Sequence, residues 1–135
     1  MFYSSYKNLT KDIFITGTVD SVKDYYDICN VAVVPIMSGG GVNVKLLEAL
    51  GNGKLVVSTS KGIEGTEFED GRHLRVEDTE EGFANACIDL MINPKSEKNT
   101  AMRKRACKLM EEKYSWSGIV QNYEKELQKI VDDGR

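Results

Sequence analysis

The sequence predicts an α/β domain built on a mainly parallel sheet of about four strands. Two observations predict it. Short apolar blocks alternate with helix-forming segments in the order strand, helix, strand, helix, strand, loop, strand, then helices; that alternation yields parallel strands joined by right-handed crossovers. The block Val31-Ala32-Val33-Val34 is apolar at every position, as a strand covered on both faces is.

Ile13-Phe14-Ile15, closed by Thr16 and Gly17, is β-branched or aromatic and reads as a buried strand. From Asp20 to Cys29 a helix is expected, capped by Asp20 or Ser21, with Val22, Tyr25, Tyr26 and Cys29 on its apolar side. Val31–Val34 is the second strand, and Pro35 stops its ladder at the end where proline is tolerated. Ser38-Gly39-Gly40-Gly41 then runs into a helix over about Val42 to Leu50, ended by Gly51-Asn52-Gly53. Leu55–Ser58 is the third strand, residues 59–72 form a glycine-containing loop, and His73–Val76 is a weaker fourth strand. Thr79 caps a helix from Glu80 to Ile92, with Pro94 just beyond it. Two further helices, about Glu97–Lys113 and Ser117–Val131, close the chain, and Asp132 to Arg135 reads as frayed.

At 135 residues this is the size of one domain, with an α/β core over 13–92 and closing helices over 97–131. An apolar share of 41% argues against wholesale disorder, and a net charge of −3 argues against a nucleic-acid partner. Cys29, Cys87 and Cys107 are odd in number, widely spaced and free of any CxxC. That pattern argues against a disulfide framework or a metal site and for a reducing, cytoplasmic location. No apolar run reaches the ~18 residues of a membrane span. The opening MFYSSYKNLTKD lacks the basic-then-apolar order of a signal peptide.

Ligands of open α/β sheets bind beyond the carboxyl ends of the strands. The strand ending at Pro35 points that end at Gly39-Gly40-Gly41, where a backbone without Cβ atoms can approach a ligand closely. The next helix starts near Val42 and Asn43, and its free N–H groups and positive dipole end suit a phosphate. Asn43 either caps this helix or reaches the ligand. Lys45 sits in the first turn, where the dipole disfavours a cation unless an anion is near. Glu48 lies about 40° around the helix from Val44 and leans back toward the glycines, placed to accept hydrogen bonds from a pair of sugar hydroxyls. Val44, Leu47 and Leu50 form another stripe, free to face the sheet. The pattern alone leaves an alternative open: Lys45 and Glu48 as a surface i,i+3 pair. Neither GxGxxG nor GxxxxGK[ST] is present.

Several motifs in series resemble a known family. Gly17-x-Val19, a helix, an apolar strand ending in Pro35, the glycine loop, Lys45-x-x-Glu48-Ala49, Gly53-Lys54-x-Val56-Val57 and Gly62-x-Glu64-Gly65 follow one another in order. Tyr114-Ser115-Trp116 resembles the family's closing helices. Together these pieces, over roughly Asp12 to Tyr123, resemble the donor-binding half of GT-B glycosyltransferases, and most of all the retaining family 4, also called group 1. The resemblance implies half of a GT-B fold, a Rossmann-like sheet, and hexosyl transfer from a nucleotide-diphosphate sugar, with no other cofactor. It implies that Glu48 holds the ribose hydroxyls and that Val44 lies near ribose and base. The backbone of Gly41, Val42 and Asn43 would follow the diphosphate, and Thr18 and Val19 the base. The family's E-x7-E pattern places its first glutamate at position 40, where this chain has Gly40, so that contact with the donor sugar is not carried over.

The resemblance also implies partners. An N-terminal acceptor domain, the first two strands of the donor domain and an Arg/Lys diphosphate clamp are expected to be missing here, so the chain alone is expected to transfer sugar poorly or not at all. Ile13–Ile15 would then either pair directly with Val31–Val34 or leave an open edge that invites self-association. Peripheral membrane contact is compatible with a full enzyme of this kind. A non-catalytic nucleotide-binding or protein-interaction module is the competing reading. Elsewhere, His73 reads as structural, Glu64 and Glu67 as part of a solvated loop, and Arg103-Lys104-Arg105 as a solvated face. Trp116 with Tyr114 is expected to pack the final helices.

Overall fold

The computed structural model describes residues 12–133. Three parallel strands form the sheet in the order β1-β2-β3: β1 (Val31–Val34), β2 (Leu55–Ser58) and β3 (Arg75–Val76). Val31 pairs with Leu55 and Val34 with Ser58, while Val57 pairs with Arg75. The helices are α1 (Lys23–Ile28), α2 (Val44–Gly51), α3 (Glu80–Ile92), α4 (Glu97–Leu109) and α5 (Trp116–Asp133). A π-turn, Met110–Tyr114, joins α4 to α5. No helix among the described residues is long and apolar enough to cross a membrane.

β2 is the central strand and is buried at all four positions. Its side chains alternate between two cores, as strand geometry requires. Val56 joins Val34, Leu46, Leu50, Phe68, Leu74 and Ala106 on one face. Leu55 and Val57 join Ala86, Leu90 and Met102 on the other. α2 therefore covers one face and α3 the other, with α4 contributing to both. Side chains cap the starts of α3 and α4, the first as the sequence predicts. The Thr79 hydroxyl accepts from the Gly82 N–H, and Ser96 accepts from the Asn99 N–H, satisfying donors that a helix start leaves free.

Among the described residues the sheet has three strands rather than about four. Ile13-Phe14-Ile15 is neither a strand nor buried: Phe14 is 84% exposed. Its β propensity cannot act without a ladder partner, because strands are stabilised by cross-strand neighbours. β1 consequently pairs only with β2 among the described residues, and Val33 is 54% exposed rather than covered. The expected fourth strand shrinks to Arg75–Val76. The first helix is also shorter than expected. It begins at Lys23 after Val22, with no side-chain cap from Asp20 or Ser21.

The closing helices differ most. Tyr114 is drawn inward by the π-turn, stacks on Phe68 with centroids 5.2 Å apart and accepts the Glu67 N–H at 2.9 Å. Trp116, two residues on, is about 200° further round a helix. It points outward and is 84% exposed, so it does not pack the helices. Val120, Tyr123, Leu127 and Ile130 continue its exposed stripe. His73 is buried, as its structural reading requires, and takes the Glu69 N–H on Nδ1 at 3.1 Å. Arg105 is tied down as well, donating to the Arg72 carbonyl at 2.9 Å, so the Arg103–Arg105 run is only partly a solvated face.

Two measurements follow from this arrangement. The edge of β1 that no described residue pairs with, and the exposed Ile13–Ile15 segment, should drive concentration-dependent association; sedimentation that stays monomeric over a wide concentration range, with a cooperative high-temperature melt, would refute it. Burial, aided by Arg72, holds the His73 pKa below its usual 6.5, with Glu69 opposing. This contribution to stability is complete above about pH 6.5 and falls as the pH drops toward the lowered folded value. Urea melts from pH 7.5 to 5 should show this fall, and His73→Asn, which keeps an acceptor near Nδ1, should flatten it.

Candidate functional site

The carboxyl ends of β1 and β2 are locked together. Ser58 Oγ donates to the Val34 carbonyl at 3.2 Å, and Thr59 Oγ1 donates to the Ile36 carbonyl at 2.5 Å. The Gly62 N–H donates to Thr59 Oγ1 at 3.1 Å and to the Thr59 carbonyl at 3.0 Å. Lys61-Gly62-Ile63 forms a 3₁₀ turn at this junction. It can sit so deep because Gly62 has no side chain. A Cβ there would overlap Ser58 Oγ and lie 3.1 Å from the Val34 carbonyl oxygen.

Above this junction lies a cavity of about 170 Å³, lined by Ile36, Ser38, Gly39, Gly40, Gly41, Val42, Asn43 and Lys61. Gly39 and Gly41 have φ of +120° and +84°, values that other residues rarely adopt. Gly40 does not have a positive φ, and a Cβ on any of the three would meet nothing within 4 Å. Asn43 is the N-cap of α2. Its Oδ1 accepts the Lys45 N–H at 3.0 Å, which settles its role as a cap and leaves the other first-turn donors of α2 free of side-chain caps.

Of the residues expected at the site, the structure brings Gly39, Gly40, Gly41, Val42 and Asn43 together around one cavity. Val44, Lys45 and Glu48 stand outside its lining, on the exposed side of α2. Val44 does not face the sheet: it is 66% exposed, and the buried stripe is Leu46, Ala49 and Leu50, with Leu47 half-buried against the same core. The expected stripe was shifted because the apolar arc of so short a helix is centred by Leu46 and Leu50 at i, i+4. Lys45 and Glu48 form no ion pair with each other among the described residues. Glu48 instead lies close enough to Tyr26 of α1 to help burial raise the phenol pKa. Thr18 is exposed and Val19 half-buried; neither lines the cavity.

Besides a hollow of about 290 Å³ beside Gly51, Cys107 and Glu111, the described residues form two still larger ones. One, of about 360 Å³, also lies beyond the strand ends, between Pro35, Met37, Thr59, the Glu77–Glu80 segment and Phe83. Two of its three carboxylates are engaged, Glu77 by Arg75 at 3.0 Å and Asp78 by the Ser60 N–H and hydroxyl at 2.8 and 2.5 Å, and Glu80 adds the third. Those hydrogen bonds lower the Asp78 pKa and keep it charged, so this hollow repels anions. The other, about 650 Å³, separates the polar side of α5 from Gly65 and Glu67. Its charges are of mixed sign, with Lys113 3.3 Å from Glu67 and Lys129 2.7 Å from Glu126. Among these hollows of the described residues, the glycine cavity alone has a cation and no carboxylate in its lining.

Lys61 was overlooked in the sequence, where residues 59–72 read as one loop. The signal was available. The strand-end rule that singled out the glycines after β1 applies equally to the residues after β2. The backbone geometry carries its own test. Gly41→Ala should cost about 1 kcal/mol through the left-handed dihedral, and Gly40→Ala should be neutral or slightly stabilising; paired thermal melts check the contrast.

Residues 3–93 match the family described as glycosyl transferases group 1. The chain is also 28% identical over 123 residues, 91% of its length, to an uncharacterized 44.6 kDa protein in the cps region of Klebsiella pneumoniae, and spans 31% of that protein. The family match runs through β1, the glycine cavity, α2, the β1–β2 lock and α3, about two thirds of the sequence, and the chain belongs to the group 1 glycosyl transferases.

Proposed function

We propose that this chain is the donor-nucleotide-binding part of a nucleotide-sugar-dependent glycosyltransferase, a partial GT-B domain acting with retention of configuration. The observation that carries the reading is the glycine cavity, placed at the carboxyl end of β1 and opening onto the start of α2. Transfer from a nucleotide-diphosphate sugar breaks the bond between the sugar C1 and a β-phosphate oxygen. Negative charge grows on the departing diphosphate. Backbone N–H groups of the Gly39–Asn43 segment and the positive end of α2 stabilise that charge where it develops. Lys45, in the first turn of α2, adds a cation on the outer side.

Glu48 holds the ribose hydroxyls in this reading. Its carboxylate is exposed and makes no ion pair with any of the described residues. Val44 lies one turn earlier on the same exposed side, placed for apolar contact with ribose or base, with Thr18 and Val19 assigned to the base. No residue of this chain is assigned as a catalytic base; the acceptor and its groups belong to a second Rossmann-like domain.

A second reading, an interaction module without catalysis, is favoured by the exposed stripe from Trp116 to Ile130 and by Gly40 in place of a carboxylate. Calorimetric titration with UDP, GDP and ADP separates the two. At least one diphosphate should bind, and Glu48→Ala should weaken it about tenfold or more, the worth of hydrogen bonds to a charged group. No heat with any of them, from chain shown to be folded by circular dichroism, would favour the interaction module.

A further inference from the structure

We infer that Lys61 is a diphosphate-positioning residue, a cation held over the glycine cavity that exchanges its Glu64 partner for the ligand. This inference rests on the donor-site reading above. Among the described residues, Lys61 is the only cation in the lining of the glycine cavity. Its position is fixed by the strand junction rather than by its own contacts. Gly62, its neighbour, is wedged between the ends of β1 and β2, and Thr59 ties the same turn to Ile36 at the root of the glycine loop. Movement of the lysine backbone relative to the glycines would have to break that lock.

The side chain has a different standing from the backbone. Its ammonium meets the Glu64 carboxylate three residues on, and the two side chains are 36% and 59% exposed. An ion pair this open to water holds its partners weakly. A diphosphate in the cavity offers more negative charge than one carboxylate, and it would sit among backbone donors that Glu64 lacks. Lys45 is in a poorer position for this task, since it lies outside the cavity lining. The two lysines are thus assigned different places: Lys61 inside the cavity and Lys45 on its outer side.

The test is a titration series on the 135-residue chain with UDP, GDP and ADP, and with the matching nucleosides as competitors. Lys61→Ala should weaken the diphosphate that binds about tenfold, as loss of a charge-assisted contact does. It should leave nucleoside competition unchanged and reduce the salt dependence of diphosphate binding. Lys61→Arg should restore most of the affinity, and Glu64→Gln, which removes the competing carboxylate, should tighten it. Equal diphosphate affinity in wild type and Lys61→Ala, with Glu48→Ala still weakening binding, would overturn the role of Lys61 and spare the donor site. Equal losses for diphosphate and nucleoside would overturn it too, showing that the residue acts through loop shape. Failure of the wild type to bind any diphosphate would overturn both.

Discussion

Gly62 sits where β1 and β2 end, and the space its missing side chain leaves is filled by Ser58 Oγ and the Val34 carbonyl. The hydroxyls of Ser58 and Thr59 use that closeness to reach across to β1. Both are buried, and buried hydroxyls must find partners or cost stability. One compact junction therefore satisfies the polar groups at the strand ends and fixes the root of the glycine loop. It also turns the chain so that Lys61 and Asp78 diverge. Ser60 fastens Asp78 to the neighbouring acidic hollow, while Lys61 turns to the glycines. Two cavities of opposite character are built from adjacent residues.

What could be read in the sequence was what local chemistry decides. The bounds of β1 and β2, the Thr79 cap and the glycine loop leading into α2 all rest on residues within a few positions of one another. What could not be read depends on partners far along the chain. Ile13-Phe14-Ile15 has the composition of a strand, yet a strand exists only against a neighbour, and none of the described residues pairs with it. Trp116 has the composition of a core residue, but the π-turn before it sets the phase of α5 and spends the inward position on Tyr114. Lys61 is an ordinary lysine until the Gly62 wedge places it.

The site divides along the same line. The residues that share the cavity, Gly39 to Asn43, are consecutive, and their grouping needed no tertiary knowledge. Glu48 and Val44 were placed on one side of α2 by helix geometry alone, and both are exposed there. Their relation to the cavity depends instead on how α2 is rolled against the sheet. That roll is set by Leu46, Ala49 and Leu50, all buried. α1 adds Tyr26, whose phenol shares its surroundings with Glu48. The sequence offers no direct sign of this meeting, because the two residues lie on different helices.

Gly40 differs from its two neighbours in having no backbone reason to be glycine. Gly39 and Gly41 are held by conformation, so mutation there is screened first by folding. At position 40 the fold exerts no such screen. A Cβ added there meets no neighbour within 4 Å. Substitution there is filtered less by folding than substitution at Gly39 or Gly41. Position 40 is thus the point of the loop where a side chain can be gained or lost at least cost to the fold.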